Sequence, residues 1–539
     1  MITRRTLLRG SLAAAGGWLA GCDRAASRAV PGRLLGPSAA LGHRLRDRMI
    51  PAPDSTREAG VVIAGAGIAG LAAAYALRRQ GVRDVLILDA LEEPGGNASC
   101  GRNSVSAYPW GAHYVPLVRS DCAPVLNLFS ELGIIVGADQ QGRPIYDEYA
   151  ISSDPQERLW MYGRWQEGFV PVIGSSARDE AQFTAFFAAT ERMKHGVGSD
   201  GKPLFAIPVE NSTADSNWRE LDRISFADYL RNQGFDSPRV RWYADYCCRD
   251  DYGAVAAYVS AWAGLHYFAS RNGVAANADA SSVVTWPEGN GYLVRELSSR
   301  AAVAFQGNAL VTRVARADSG VQLDYFDASL QRSVRVEARA AVVCLPRFVA
   351  ARVVDGFSAP SATGFSYSPW MVANVTLSRL PAGRGQALAW DNVIYDSPLL
   401  GYVVATHQGL EQRRTSTVIT YYWPLSAGTP DAERRTALDR SLSDWQAIVI
   451  GDLLRVHPEL ERHIENIDVC IWGHGMVRPT PGFIWGAARQ AALAQMPPVF
   501  FAHSDLSGIS IFEEAYCRGR TAGELAAREL ASSAIGAAA

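Results

Sequence analysis

The sequence predicts an α/β protein, α+β over its whole length, on three observations. A β-branched run, Val61-Val62-Ile63-Ala64, leads into Gly65-Ala66-Gly67-Ile68-Ala69-Gly70, a helical stretch from Leu71 to Arg79 and a second apolar run, Val85-Leu86-Ile87-Leu88. This is the spacing of a β-α-β unit. Val321 to Tyr325 and Val334 to Ala338 alternate like a hairpin, and Ala340 to Pro346 reads as a buried strand closed by proline. Ala177 to Gly196 and Asp431 to Arg455 carry helical spacing, interleaved with β-rich stretches at Val372 to Leu377 and Thr417 to Trp423.

Composition narrows the classes. The 539 residues allow two to four domains, and 48% hydrophobic residues exclude a disordered or fibrous chain. The 52 Lys and Arg are balanced by 54 Asp and Glu, so no basic stripe is expected and nucleic acid is excluded as a partner. Only two of the basic residues are lysines, Lys194 and Lys202.

From the amino terminus, Thr3-Arg4-Arg5-Thr6-Leu7-Leu8-Arg9 precedes a short apolar stretch from Ser11 to Ala20, which resembles a twin-arginine export signal too short to span a bilayer. Leu19-Ala20-Gly21-Cys22 resembles a lipobox, which makes Cys22 the lipidated first residue of the mature chain. Asp23 then favours retention at the inner membrane, so a periplasmic protein tethered through Cys22 is expected, with residues 1–22 acting as the signal. Residues 23–57, broken by Pro31, Pro37, Pro51 and Pro53, read as a linker or arm with a short helix near Leu41 to Met49. Apart from Cys22, seven cysteines remain, with Cys247 and Cys248 adjacent and no C-x-x-C spacing, so no metal site is expected.

The glycine motif assigns tasks to each residue. Gly65 permits the tight turn, Gly67 lets the backbone approach a pyrophosphate, and Gly70 lets helix and strand pack closely. The helix start at Ile68 and Ala69 offers N–H groups and a positive dipole end to the phosphates. Asp89, about 20 positions on, is placed to accept hydrogen bonds from ribose hydroxyls. Together these residues predict a dinucleotide-binding unit.

Glu93-Pro94-Gly95-Gly96-Asn97 follows the second strand, and here the chain resembles the FAD-dependent amine oxidase superfamily, which includes monoamine and polyamine oxidases, protoporphyrinogen oxidase and phytoene desaturase. In that superfamily a Gly-Gly-Arg-like turn meets the pyrophosphate. Asn97 stands in place of the arginine, and Arg102 is the nearest candidate for the missing charge. Gly111-Ala112-His113-Tyr114 resembles the segment passing beneath the flavin ring, and Trp286 to Leu293 the turn that opens the next helix. The resemblance further implies that backbone groups of Val311 bind adenine. The stretch Pro498 to Asp505, with Gly508 and a helix from about Ile511, resembles the terminal FAD motif. Its ribitol-binding acid aligns with Ser504 most simply and with Asp505 one residue later, while the helix N-terminus faces the N1/C2 edge of the flavin.

The resemblance implies a Rossmann-like FAD-binding domain assembled from 58–115, 280–350 and 465–530, a mixed sheet-plus-helix substrate domain from 116–279 and 351–464, and a tail at 531–539. Hydride transfer to flavin needs orientation and desolvation more than acid-base groups. His113, preceded by Trp110, is the candidate to face the ring. Tyr246, Asp250 and Tyr252 belong to an aromatic and acidic cluster suited to a cationic amine, although helix-spaced aromatics also build core. Trp472 and Trp485 are candidates for an aromatic wall. Lys194 and Lys202 match no flavin-site lysine of the superfamily, which leaves oxygen, a quinone or a carrier protein open as acceptor. Three functions follow: an FAD-dependent amine or polyamine oxidoreductase, a desaturase-like enzyme for an apolar or lipid-like substrate, or a flavin-binding module of low turnover.

Overall fold

The structure, a computed structural model, describes residues 29–47, 49–357, 364–410 and 413–538. The export signal and Cys22 lie outside the described residues. Two sheets carry the architecture. The first orders Ala304–Gln306, Val85–Leu88, Ser55–Ala64, Arg332–Val343, Gly320–Asp327 and Ala309–Ala317, with Val499–Phe501 paired to Arg332–Val343. Its centre is parallel: residues 61–64 run in register with 85–88 on one side and 340–343 on the other. Such strands are apolar throughout because both faces are covered. The helices Ile68–Arg79 and Phe512–Ala538 supply one cover, and they touch backbone to backbone. A Cβ on Gly519 would lie 2.0 Å from the Ala69 carbonyl oxygen, and one on Gly523 2.5 Å from that of Ala73.

The second sheet has eight strands: Leu34–Leu35, Ile464–Val477, Tyr367–Leu377, Thr417–Pro424, Gly401–Val404, Asp391–Ile394, Glu157–Met161 and Arg164–Glu167. The expected third cofactor-domain segment, 465–530, therefore starts inside this sheet and reaches the first only at Val499–Phe501. The two-residue period of the strands separates two cores. Ile419 and Tyr421 pack with Trp445 and Val449, whereas Tyr422 joins Trp390, Trp472 and Tyr246 on the opposite face. That second face is roofed by the helices Pro238–Tyr252 and Ala261–Ala269. Ser237 caps the first of them, with proline in its opening turn, and Gly253 at φ +61° ends it. Ala177–Lys194 begins with a capping box between Ser176 and Asp179. Among the described residues no helix is long and apolar enough to cross a membrane.

The arm is more ordered than its prolines suggest. Leu34–Leu35 adds in parallel to Ile464–Val477, Arg33 pairs with Asp468 at 2.8 Å, and the helix Ala39–Arg46 sets Arg44 over the Phe326 ring of the first sheet. The arm thus straps one sheet to the other. Glycine allows the approach, since a Cβ on Gly32 would lie 1.9 Å from the Ile467 carbonyl oxygen. Gly32→Val is expected to peel the arm away and cost about 1–3 kcal/mol, read as a lower denaturation midpoint; an unchanged midpoint would show the strap to be dispensable.

Candidate functional site

The glycine motif folds as a phosphate cradle. Gly65 sits at φ +101°, where a side chain is disfavoured, and a Cβ on Gly70 would lie 1.9 Å from the Gly65 carbonyl oxygen. Around a Cβ on Gly67 there is nothing within 4 Å. That open side faces the start of Ile68–Arg79, whose N-cap makes no side-chain hydrogen bond, so the first N–H groups at Ile68, Ala69 and Gly70 are left for an anion. Gly67 bridges to Gly95, and a Cβ on Gly96 would meet the Gly67 Cα at 3.3 Å. The two glycine turns therefore form one concave surface, which fits a pyrophosphate.

Asp89 closes the cradle's floor, accepting from the backbone N–H of Ala66 at 2.6 Å and of Leu91 at 2.8 Å. Burial raises its pKa, opposed by these two bonds. Val311 lies on the edge strand of the first sheet, between Ala309, whose N–H donates to the Asp89 carbonyl, and the Val314 bridge to Val354. Asn97 ties the second turn to the second sheet by donating to the Gly475 carbonyl, and its own carbonyl accepts from Ala112. Gly111 is held by Tyr422, whose hydroxyl donates to its carbonyl at 3.0 Å. Trp110 accepts at its carbonyl from Trp472 Nε1 at 2.6 Å. Gly111, Ala112, Trp110 and Trp472 are thus gathered where the two sheets meet.

Beside them lies a cluster of aromatics and acids. The His113 ring stacks on Tyr422 with centroids 4.4 Å apart and lies 5.7 Å from Trp390, while Tyr114 meets Trp390 edge-on at 6.0 Å. Tyr246 stacks on Trp242 at 5.6 Å. Among them stand Asp250, Glu157 and Asp391. Glu157 and Asp391 are register partners on adjacent parallel strands, and like charges in that arrangement repel. Burial and the neighbouring carboxyls push Glu157 and Asp250 up to about 7 and Asp391 well above its ordinary value. Each of the three thus favours its neutral form more than a free carboxyl does.

The His113 ring forms one face of this cluster. Burial lowers its pKa to about 4, which favours the neutral ring. His113→Phe is expected to leave the pH profile of the activity proposed below unmoved between about pH 6 and about pH 8; a profile shifted by stopped-flow measurement would assign the ring a protonic role.

Several candidates lie elsewhere. Tyr252 is fully buried and donates to the Ala263 carbonyl at 2.7 Å, so it is core. Trp485 packs edge-on against Trp262 at 5.2 Å under the guanidinium of Arg219, in the same helical core. Arg102 is exposed at the end of a short ribbon, and the next residue, Asn103, bonds Thr376 on the second sheet. Asp505 is buried, accepting from Tyr367 at 2.6 Å and from the Arg347 N–H at 2.8 Å, and it lies 2.9 Å from His503. Despite burial its pKa is lowered, chiefly by His503 and Tyr367. This carboxylate ties three chain segments together and leaves the half-buried Ser504 as the more accessible member of the pair. Gly508, at φ +79°, turns the chain toward the half-buried Ile511 and the last helix. Lys194 pairs with Glu191 on Ala177–Lys194, and Lys202 is exposed.

The fold is that of an α/β protein with a Rossmann-like unit, and residues 63–132 match the NAD(P)-binding Rossmann-like domain family. No curated protein matches the sequence. Among solved structures, wild-type putrescine oxidase bound to putrescine is similar at 16% identity and TM-score 0.64, covering 88% of this chain and 100% of its own. Cyclohexylamine oxidase from Brevibacterium oxydans IH-35A is similar at 18% identity and TM-score 0.62, with coverages of 88% and 100%. A CLA-producing fatty acid isomerase from P. acnes is similar at 16% identity and TM-score 0.59, covering 87% of this chain and 98% of its own.

Proposed function

We propose that the protein is an FAD-dependent oxidoreductase whose substrate is a cationic amine or polyamine. The observation that carries this reading is the convergence of Glu157, Asp250 and Asp391 with Tyr114, Tyr246, Tyr422 and Trp390 beside the Gly111–Ala112 turn. Carboxylates and aromatic faces are the groups that hold an ammonium ion in a desolvated pocket. The open cradle at Gly67, Gly95 and Gly96 accommodates a dinucleotide pyrophosphate, and Asp89 its ribose end. FAD, when bound, supplies a two-electron acceptor for a substrate hydride at N5. The chain's own part is to hold the amine against the aromatic wall, exclude water and manage the ammonium proton. The likeness to putrescine and cyclohexylamine oxidases supports the reading at the level of fold.

Anaerobic titration of the purified holoprotein tests it. Bleaching of the long-wavelength flavin absorbance by diamines, and not by fatty acids or carotenoid-like compounds, is the expected result. Bleaching by apolar compounds alone would favour the desaturase-like reading, against which three desolvated carboxyls argue. FAD bound without bleaching by any compound would favour a low-turnover binding module.

The acceptor is proposed to be a quinone or carrier protein, with oxygen as alternative, because Lys194 is engaged by Glu191 and Lys202 is exposed. A periplasmic location with a lipid tether at Cys22 is proposed from the sequence pattern alone. Replacing Arg4 and Arg5 together with lysine is expected to leave the protein in the cytoplasm; undiminished delivery to the periplasm would refute the export route.

A further inference from the structure

Arg271 faces the acids of the proposed amine site from beyond their own helix. Asp250 and Asp251 are consecutive on Pro238–Tyr252. Arg271, just beyond Ala261–Ala269, pairs with Asp251 Oδ1, stacks 4.1 Å over the Tyr267 ring and lies 6.0 Å from that of Tyr114. The Tyr114 hydroxyl in turn stands 3.4 Å from Asp250 Oδ2. Behind Arg271 is a chamber of about 10 Å³, room for one water molecule, lined also by Arg119, Ser270 and Glu513. Glu513 Oε2 is buried without a hydrogen-bond partner. Arg271 therefore stands between Asp251 on one side and the chamber holding Glu513 on the other.

We propose that Arg271 is a positioning residue that sets the proton content of the amine site: it pairs with Asp251 and fixes Tyr114 and Tyr267, leaving Asp250 as the carboxyl that gives up its proton when an ammonium group enters. The inference rests on the amine reading above. The step balances as Asp250–COOH plus R–NH₃⁺ giving the Asp250 carboxylate paired to R–NH₃⁺, with one proton released to solvent. The groups facing Asp250 are Tyr114 from the turn beneath, Glu157 and Asp391 from neighbouring strands, Tyr422 from the sheet, Tyr246, Cys247, Arg249 and Asp251 from its own helix, and Tyr267 and Arg271 from the next. Burial and Asp251 raise its proton affinity, and Arg271 opposes them at both Asp250 and Asp251. Removing Arg271 therefore lets the acids hold protons to higher pH.

The test uses the holoenzyme and 2,5-dimethylhexane-2,5-diamine, a diamine with no hydrogen on the carbons bearing nitrogen, so that it binds without being oxidised. Calorimetry in two buffers of different ionisation enthalpy counts protons released on binding as a function of pH. The wild type is expected to release protons near neutrality, with the release fading as the pH rises. Arg271→Gln is expected to move that fade upward by about one pH unit, a tenfold change in proton affinity. Adding Asp251→Asn to it removes the opposite charge and should bring the fade back toward wild type. A merely structural role would weaken binding in Arg271→Gln and leave the fade where it was. Arg271→Lys, which keeps the charge, covers the case in which the glutamine variant does not fold; it should retain the wild-type fade with weaker binding. A superimposable profile for Arg271→Gln, a lysine variant whose fade moves upward, or wild-type binding without proton release overturns the inference alone. A wild type that does not bind the probe overturns the amine reading together with it.

Discussion

Gly67→Leu is expected to yield a folded protein that has lost its flavin. Gly67 has φ −70°, a conformation open to any residue, and no atom lies within 4 Å of where its Cβ would stand. Leucine there strains nothing in the protein itself. Its side chain projects into the space between the two glycine turns, where the pyrophosphate must approach the backbone. Overpacking of even a few methylenes costs about 3 kcal/mol, or roughly two decades of affinity, so FAD should be lost on purification while circular dichroism and the denaturation midpoint of the apoprotein stay near wild type. Gly70→Ala makes the contrast. Its Cβ would lie 1.9 Å from the Gly65 carbonyl oxygen, so that variant should fail at the level of folding. A fully yellow Gly67→Leu protein would remove the nucleotide assignment.

The second large effect is expected at Asp250. Asp250→Asn deletes one carboxylate from a desolvated site facing a cation, a change that costs about 2–5 kcal/mol in comparable pairs, so the KM for a diamine should rise at least about 30-fold with a smaller change in kcat. The pH dependence fixes the sign. A carboxyl raised to about 7 is neutral below that value and charged above it, so amine binding strengthens as the pH rises through neutrality. It weakens again only when the amine loses its own proton at about pH 10. In Asp250→Asn the rising limb should flatten. Unchanged KM values across that range would place the ammonium group elsewhere.

What could be read from the sequence follows from how local each feature is. The cradle was legible because Gly65, Gly67, Gly70 and Asp89 lie within one β-α-β unit whose spacing is set by helix and strand geometry. The like-charged pair Glu157 and Asp391 was not, because it arises from the register of two strands joined by no local turn, and no periodicity in either strand announces it. Arg271 was missed for a related reason: its partner Asp251 lies on Pro238–Tyr252, with a loop and the helix Ala261–Ala269 between them. On Pro238–Tyr252 the sequence could not separate Tyr246 and Asp250, which face the pocket, from Cys248 and Tyr252, which face the helical core. Both faces of that helix are covered, so its pattern carries no solvent side to orient it. Asp505 illustrates the opposite limit: a motif located it to within a residue, yet only tertiary contacts with Tyr367 and Arg347 reveal that it braces the fold.

The backbone contact of Gly519 and Gly523 against Ala69 and Ala73 joins segments far apart in sequence. Contacts of such separation form late and slowly in folding. The helix Ile68–Arg79 therefore keeps one apolar face uncovered until Phe512–Ala538 docks on it. A chain cut before Phe512 should leave that face open to aggregation, so the docking of Phe512–Ala538 decides when the glycine turns gain a rigid support.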